Sequence, residues 1–361
     1  MGKIRILSRL LKGACRGLFI VLVIGIINSF VGVSIIRIGM FPRVQSIIVT
    51  STMTTMTHQY IAKVFADTNQ IAKIMDCNKV VDTKEVSDNT AITIQPSPTV
   101  SIEKDPSIAT LAPISNSIIQ KKDTVELINI KGSRYNGYMF IVSNPKRIKL
   151  AITKNVGKYG EKLNKLIQSE NAIGGINAGG FIDTSGVGNG GTPTGIIIKN
   201  GEIIWRDTSE KTYNIIGFNK DGILILGNYS VQQIKEKGLV DAVSFGPYLI
   251  VNNKPTKIIG DGGWGINPRS VIGQKADGTI LLLEIDGRQA SSVGAAIKEI
   301  QDIMVEYGAV NAANLDGGSS STLYYNNKLI NKPCSLSGER FLPDAFVISE
   351  IKEEGGCIEK N

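Results

Sequence analysis

Apolar and polar positions fall into three regimes along the chain. Residues 17–36 run Gly-Leu-Phe-Ile-Val-Leu-Val-Ile-Gly-Ile-Ile-Asn-Ser-Phe-Val-Gly-Val-Ser-Ile-Ile without a charge, and about 20 such residues are what a helix needs to cross a bilayer. Beyond them, Ile61, Val64, Phe65, Ile71, Ile74 and Met75 recur at helical spacing as far as about Cys77, with Ser51 to Thr57 as the capping stretch. That pattern predicts a stalk helix within residues 37–77. It would pair with a second copy, lie on the membrane, or pack on its own domain. Residues 78–123 then turn to Asp, Thr, Ser, Asn and Pro without periodicity, including Gln95-Pro96-Ser97-Pro98, and read as a flexible spacer.

From 124 to 351 the pattern becomes short β-rich runs separated by turns. Three hairpins are expected: Ile196 to Trp205 around Asn200-Gly201, Ile215 to Leu226 around Asp221-Gly222, and Val271 to Ile285 around Asp277-Gly278. Each turns on a dipeptide that tolerates positive φ. Helices are expected over about 161–170, 231–237 and 293–307, the last with Ser292 as N-cap and Gly308 as stop. The fold class is α+β, mainly antiparallel sheet with a few helices. Residues 352–361 form a C-terminal tail.

Charge bears on topology. The formal net charge is +8, but Lys3, Arg5, Arg9, Lys12, Arg16, Arg37 and Arg43 supply +7 of it within the first 50 residues, where no acid occurs. A basic tail over residues 1–16, then an apolar run, predicts a single-pass anchor in the cell membrane with a cytoplasmic N-terminus and an extracytoplasmic remainder. A cleaved signal peptide would have a shorter apolar run and a small-residue cleavage site. The remaining +1 makes no basic patch, so no nucleic-acid partner is expected. Of four cysteines, Cys334 and Cys357 fall late enough to pair outside the cell, although no spacing rule requires it.

Candidate chemistry concentrates where strands end in polar or glycine-rich turns. The clearest case is Asn311-Ala312-Ala313-Asn314-Leu315-Asp316-Gly317-Gly318-Ser319-Ser320, an apolar strand ending on a carboxylate, two glycines and hydroxyls. Glycines here suit a close approach to the backbone, although Asp-Gly is also an ordinary turn pair. His58 is the one histidine and lies far from these segments, so a histidine triad or histidine zinc site around Asp316 is excluded. Ser87-Asp88-Asn89 and Ser143-Asn144-Pro145-Lys146 match elements of penicillin-binding transpeptidases, but in the wrong order and without Lys-Thr-Gly. Gly186-x-Gly188-x-x-Gly191 is followed by Thr192-Pro193 where a Rossmann helix would begin, and reads instead as a loop over a pocket.

Six motifs then occur in an order that resembles the phosphodiester glycosidase family. They are Asn177 at a glycine-rich strand end, Gly246-Pro247, Asn267-Pro268-Arg269-Ser270-Val271-Ile272-Gly273, Asp286-Gly287-Arg288-Gln289, Asn314-Leu315-Asp316-Gly317-Gly318-Ser319-Ser320, and Gly338-Glu339-Arg340. The resemblance covers about residues 124–351 and implies a phosphodiester glycosidase-like domain that hydrolyses sugar 1-phosphodiesters in a phosphate-linked glycan, such as a wall polymer or exopolysaccharide. Asn177-Ala178-Gly179-Gly180 departs from the family's expected Asn-Gly-Gly followed by aromatics, which bears on substrate choice.

Within that reading, Arg269, Arg288 and Arg340 are the phosphate candidates, since an arginine fork neutralises the departing phosphate. Asp316, Asp286 and Glu339 are the carboxylates that would support an oxocarbenium-like centre as nucleophile or base. Asn177 would bind a sugar hydroxyl or cap its turn, and Gly317, Gly318, Ser319 and Ser320 would form a nest-like phosphate turn. Arg269, Arg340 and Glu339 could equally serve as loop-fixing ion pairs. No cofactor is expected. The Asp and Asn oxygens suit Ca²⁺ or Mg²⁺, but no ligand spacing specifies either. The competing classes are a non-catalytic glycan-binding or assembly protein and a transferase that passes a sugar phosphate to a wall polymer.

Overall fold

The computed structural model describes residues 2–55, 58–94, 123–183, 189–335 and 337–351, in two compact units. The first comprises residues up to Lys79 with Ile259–Gly265; the second comprises Val80–Ile258 and the residues from Ile266 onward.

In the first unit the apolar run lies within the helix Gly2–Arg37. Among the described residues no single helix is long and apolar enough to cross a membrane; Val21–Arg37 and Pro42–Met53 pass that test together, bent by 94° at the break between them. The expected stalk helix is three shorter ones, Pro42–Met53, Gln59–Phe65 and Thr68–Asp76. It breaks at Ala66, which is extended, because Asp67 captures the Gln70 amide and Gln70 returns the bond to the Asp67 amide. Val49, Ala62 and Ala66 form a small buried cluster among these helices, and Gln45 ties two of them by donating to the Phe65 carbonyl at 2.9 Å.

Among the described residues the second unit holds three large antiparallel sheets and a two-stranded one, Phe181–Ile182 with Thr192–Pro193. The largest has seven strands in the order Lys254–Pro255, Tyr248–Val251, Ala309–Asn314, Arg269–Lys275, Ile280–Ile285, Asn136–Val142 and Val125–Lys131. Its central strands Ile280–Ile285 and Ala309–Asn314 are buried at every residue, as expected of apolar runs covered on both faces. A five-stranded sheet runs Leu224–Ser230, Thr212–Asn219, Leu239–Ser244, Ile196–Lys199 and Glu202–Arg206; another runs Lys328–Leu329, Leu323–Tyr325, Ala172–Asn177, Asp344–Ser349 and Ile148–Ile152. One core joins all three, with Phe140, Leu282 and Ala313 from the first, Ile216, Leu226 and Val243 from the second, and Ile176 and Phe346 from the third.

The three expected hairpins are present, with Asn200, Gly201, Gly222 and Gly278 all at positive φ. The late helix begins at Ile297 rather than at residue 293. Ser292 does not cap it, because its hydroxyl donates to the Asp286 carbonyl at 2.6 Å; Glu299 instead accepts from the Ala296 amide at 2.8 Å. Within the stretch expected to be a spacer, residues 81–94 bind this unit: the Ser87 amide donates to the Leu226 carbonyl and the Thr93 amide to that of Ala276, both at 2.8 Å. Residues 95–122 and the tail 352–361 lie outside the described residues, as does Cys357 of the considered disulfide.

Candidate active site

Asp316 sits where two of the sheets meet. The strand Ala309–Asn314 delivers it, and the register that pairs Asn314 with Val271 lets the Leu315 amide donate to the Ser270 carbonyl at 2.8 Å. The Asp316 amide donates to Ala178 at 3.0 Å, just past the end of the strand Ala172–Asn177. Asn177, fully buried, donates through Nδ2 to the Asp316 carbonyl. Its Oδ1 accepts from Ser270 Oγ at 2.8 Å and from the Thr322 amide at 3.1 Å. Asn177 thereby holds the turn through both its amide nitrogen and its oxygen, and so positions Asp316.

A second buried carboxylate completes that network. Ser270 Oγ lies 2.8 Å from both Asn177 Oδ1 and Glu284 Oε2, yet a hydroxyl carries one proton. Glu284 is fully buried, and burial pushes its carboxyl well above the usual carboxylate range. As a carboxylic acid it donates to Ser270, which then donates to Asn177.

Glycine makes the turn after Asp316 possible. A Cβ on Gly317 would lie 2.7 Å from the Pro268 carbonyl oxygen, and Gly318 has φ +62° while its amide donates to that same carbonyl at 3.0 Å. Residues Gly318–Ser320 close into a single 3-10 turn, and Cys334 Sγ rests 3.6 Å from the Gly318 carbonyl.

Electrostatically the site is two crowded carboxyls faced by two arginines. Burial raises the Asp316 carboxyl to about 6, against the lowering effects of the Ser320 hydroxyl and the Arg340 and Arg288 charges. Asp344, at the start of the strand Asp344–Ser349 and 1% exposed, is raised by burial to about 7 although the Gly179 amide donates to its Oδ1 at 2.5 Å; the Asp316 charge adds to the rise. The order is physical: Asp316 ionises first, and its charge then opposes ionisation of Asp344. Asp344 Oδ2 is buried without a hydrogen-bond partner among the described residues. A Cβ on Gly179 would stand about 3.0 Å from that carboxylate, so glycine is what lets the two approach.

The arginines are held differently. Arg288 is exposed at φ +56°, with Nε and Nη2 donating to Asn267 Oδ1 at 3.2 and 3.0 Å and Nη1 reaching Ser319 Oγ at 3.5 Å. Arg340 pairs with Asp183 at 2.5 Å and lies over the Phe181 ring, 5.4 Å from its centroid. Arg269 is 3% exposed, its Nε donates to the Ala295 carbonyl at 3.0 Å, and its Cα would stand 3.5 Å from a Cβ on Gly317, beside the Asp316 turn. Asp286 also serves the frame, since its Oδ1 accepts from the Lys332 amide at 2.8 Å and from Asn331 at 3.3 Å. Glu339 accepts from the Tyr324 hydroxyl at 2.7 Å.

The structure thus brings Asp316, Arg288, Arg340, Ser319 and Ser320 together, and Asn177 beneath them. The sequence reading missed Asp344 and Glu284. Glu284 was legible as a lone carboxylate in the apolar run Leu281-Leu282-Leu283-Glu284-Ile285, which cannot stay charged once buried. Asp344 opens the apolar run Ala345-Phe346-Val347-Ile348 after a proline, the mirror of Asp316 closing one. Among the described residues no three His, Cys, Asp or Glu side chains gather in a way that could hold a metal ion.

Comparison with known proteins places this architecture. An uncharacterized SPbeta prophage-derived protein, YomE, of Bacillus subtilis is 30% identical over 177 residues, covering 46% of this chain and 27% of its own length. The N-acetylglucosamine-1-phosphodiester alpha-N-acetylglucosaminidase of Bos taurus is 28% identical over 134 residues, covering 32% of this chain and 25% of the bovine protein. The chain therefore spans about a quarter of the length of these relatives. The solved catalytic domain of the zebrafish enzyme of that name shares the fold, at 21% identity and a TM-score of 0.52, over 63% of this chain and 83% of that one. Residues 170–349, which carry Asn177, Asp316, Arg340 and Asp344, match the phosphodiester glycosidase family and form a domain of that family.

Proposed function

We propose that this protein hydrolyses sugar 1-phosphodiester linkages in phosphate-containing glycans. One observation carries the reading: Asp316 and Asp344 are paired carboxyls raised to about 6 and 7, with the Arg288 and Arg340 charges bearing on Asp316. Cleavage breaks the bond between the anomeric carbon and the phosphate oxygen, and the phosphate departs with the bonding electrons as a monoester. Because that leaving group needs charge neutralisation more than a proton, two arginines suffice where other glycosidases need a strong general acid. Asp316, the first of the pair to ionise, supports the developing positive charge at the sugar and takes a proton from the attacking water. Asp344 stands beside it as a buried carboxyl whose ionisation the Asp316 charge opposes.

The anchor belongs to the same proposal. Leu18, Val21, Leu22, Ile24, Ile26, Ile27 and Phe30 are all more than half exposed, a surface suited to lipid, and the basic residues before them favour a cytoplasmic N-terminus. The catalytic domain would then meet wall polymer or exopolysaccharide outside the cell.

The test is incubation of the protein with an N-acetylglucosamine 1-phosphodiester, with and without an acceptor glycan. Free sugar in both is the expected result. Product only with acceptor would identify a transferase; binding without product from this or other sugar 1-phosphodiesters would identify a non-catalytic glycan-binding protein.

A further inference from the structure

Beside the carboxylate pair lies a cleft of about 290 Å³, at the lower edge of the roughly 300–1,000 Å³ typical of small-molecule sites. Its lining includes Phe245, Tyr248, Asn214, Asn228, Thr256 and Asp82 and, among the described residues, no lysine or arginine, so these residues offer a phosphate no counter-charge. We propose that this cleft is a second subsite that binds an uncharged sugar residue of the glycan, next to the phosphodiester being cleaved. The inference rests on the proposed hydrolase reading.

Three features suit a sugar. Asn214 and Asn228 face each other across adjacent strands, and Asn228 Nδ2 donates to Asn214 Oδ1 at 2.8 Å. The Asn214 amide donors and the Asn228 carbonyl acceptor thereby remain side by side, and neighbouring sugar hydroxyls, each both donor and acceptor, match such a pair. Thr256 is 8% exposed, and its hydroxyl has no hydrogen-bond partner among the described residues; an enclosed polar group of this kind is stabilised by a ligand hydroxyl. Phe245 and Tyr248 add aromatic surface, and the Tyr248 hydroxyl is already committed to the Ile215 and Gly227 carbonyls, leaving its ring as the contribution.

The cleft is ordered and adjoins the reacting groups. Asp82 is carried on a segment pinned where the Val81 amide donates to Lys257 at 2.9 Å and where Ser87 exchanges two bonds with Leu226, both at 2.8 Å. On the other side, the Phe245 ring lies against Gly180, beside the glycine that binds Asp344. The Gly246 carbonyl accepts from Asn314, two residues before Asp316, at 3.0 Å.

The experiment uses the full chain, the exposed-site double variant Asn214→Ala/Asn228→Ala, and separately Thr256→Val. Phosphate-free trisaccharides of N-acetylglucosamine, mannose, glucose and galactose are titrated one at a time by calorimetry, and cleavage of a methyl N-acetylglucosamine 1-phosphodiester is measured beside them. At least one trisaccharide should bind the wild type and weaken about tenfold or more in the double variant, the effect of losing about 1.4 kcal/mol of polar contact, with kcat and KM for the methyl ester unchanged. Binding of none of the four, or equal binding by wild type and both variants, would overturn the subsite. Failure of the methyl ester to react with the wild type would count against the hydrolase reading instead, since the trisaccharide titration needs no turnover.

Discussion

Asp316 and Asp344 make opposite demands on folding and chemistry. Burial raises both carboxyls above their unfolded values, so the folded chain holds their protons more tightly than the unfolded one. Their contribution to stability is fully present below about pH 4 and is lost as pH rises through about 6 and 7. Asp344→Asn keeps the acceptor for the Gly179 amide and removes the charge. It should raise the melting temperature at pH 8 by several degrees and much less at pH 4.5; an equal shift at both pH values would contradict the account. The same variant should leave the acid limb of the pH–rate profile nearly in place, because Asp316 ionises beside a neutral group in both proteins and its rise comes from burial. Asp286 behaves differently: its carboxylate anchors the Lys332 amide and Asn331. Asp286→Ala, which removes that acceptor and leaves its two donors unpaired, should cost about 1–3 kcal/mol in chemical denaturation while reducing sugar release far less than substitution of Asp316. Sequence could not separate these two aspartates, since both stand in Asp-Gly pairs; what distinguishes them is which backbone amides reach them from distant segments.

At the scale of elements, alternation and turn dipeptides were enough to place the hairpins, because Asn-Gly and Asp-Gly impose positive φ locally. The stalk was harder to read, since its apolar spacing survives across two breaks and only the Asp67–Gln70 capping box marks the second. Residues 81–94 carry no periodicity, yet they bind the domain through backbone groups, a form of order that composition does not report. The glycine run of Ala172–Asn177 is likewise tertiary in origin. A Cβ on Gly175 would lie 2.5 Å from the Phe346 carbonyl oxygen and 2.9 Å from Val347 Cα, where the strand pairs with Asp344–Ser349. Gly175→Ala should therefore destabilise the domain by about 1–3 kcal/mol, as overpacking does, and lower activity through the shared strand end at Asn177; a melting temperature within one degree of wild type would refute that close packing.

In the whole molecule a basic, apolar N-terminal helix precedes a phosphodiester glycosidase domain in which Asp316 sits at the junction of two sheets. If the helix anchors the chain, the protein should stay with membranes after alkaline carbonate extraction, and its appearance in the soluble fraction would contradict the anchor. The catalytic claim is the more central. It is tested most directly by the release of N-acetylglucosamine from an N-acetylglucosamine 1-phosphodiester by the wild type and by Asp316→Asn, at matched folded fraction across pH 4 to 9. The account predicts activity that rises as Asp316 ionises near pH 6 and a loss of about 10²–10⁴-fold in the variant. Equal release by the two proteins would contradict it.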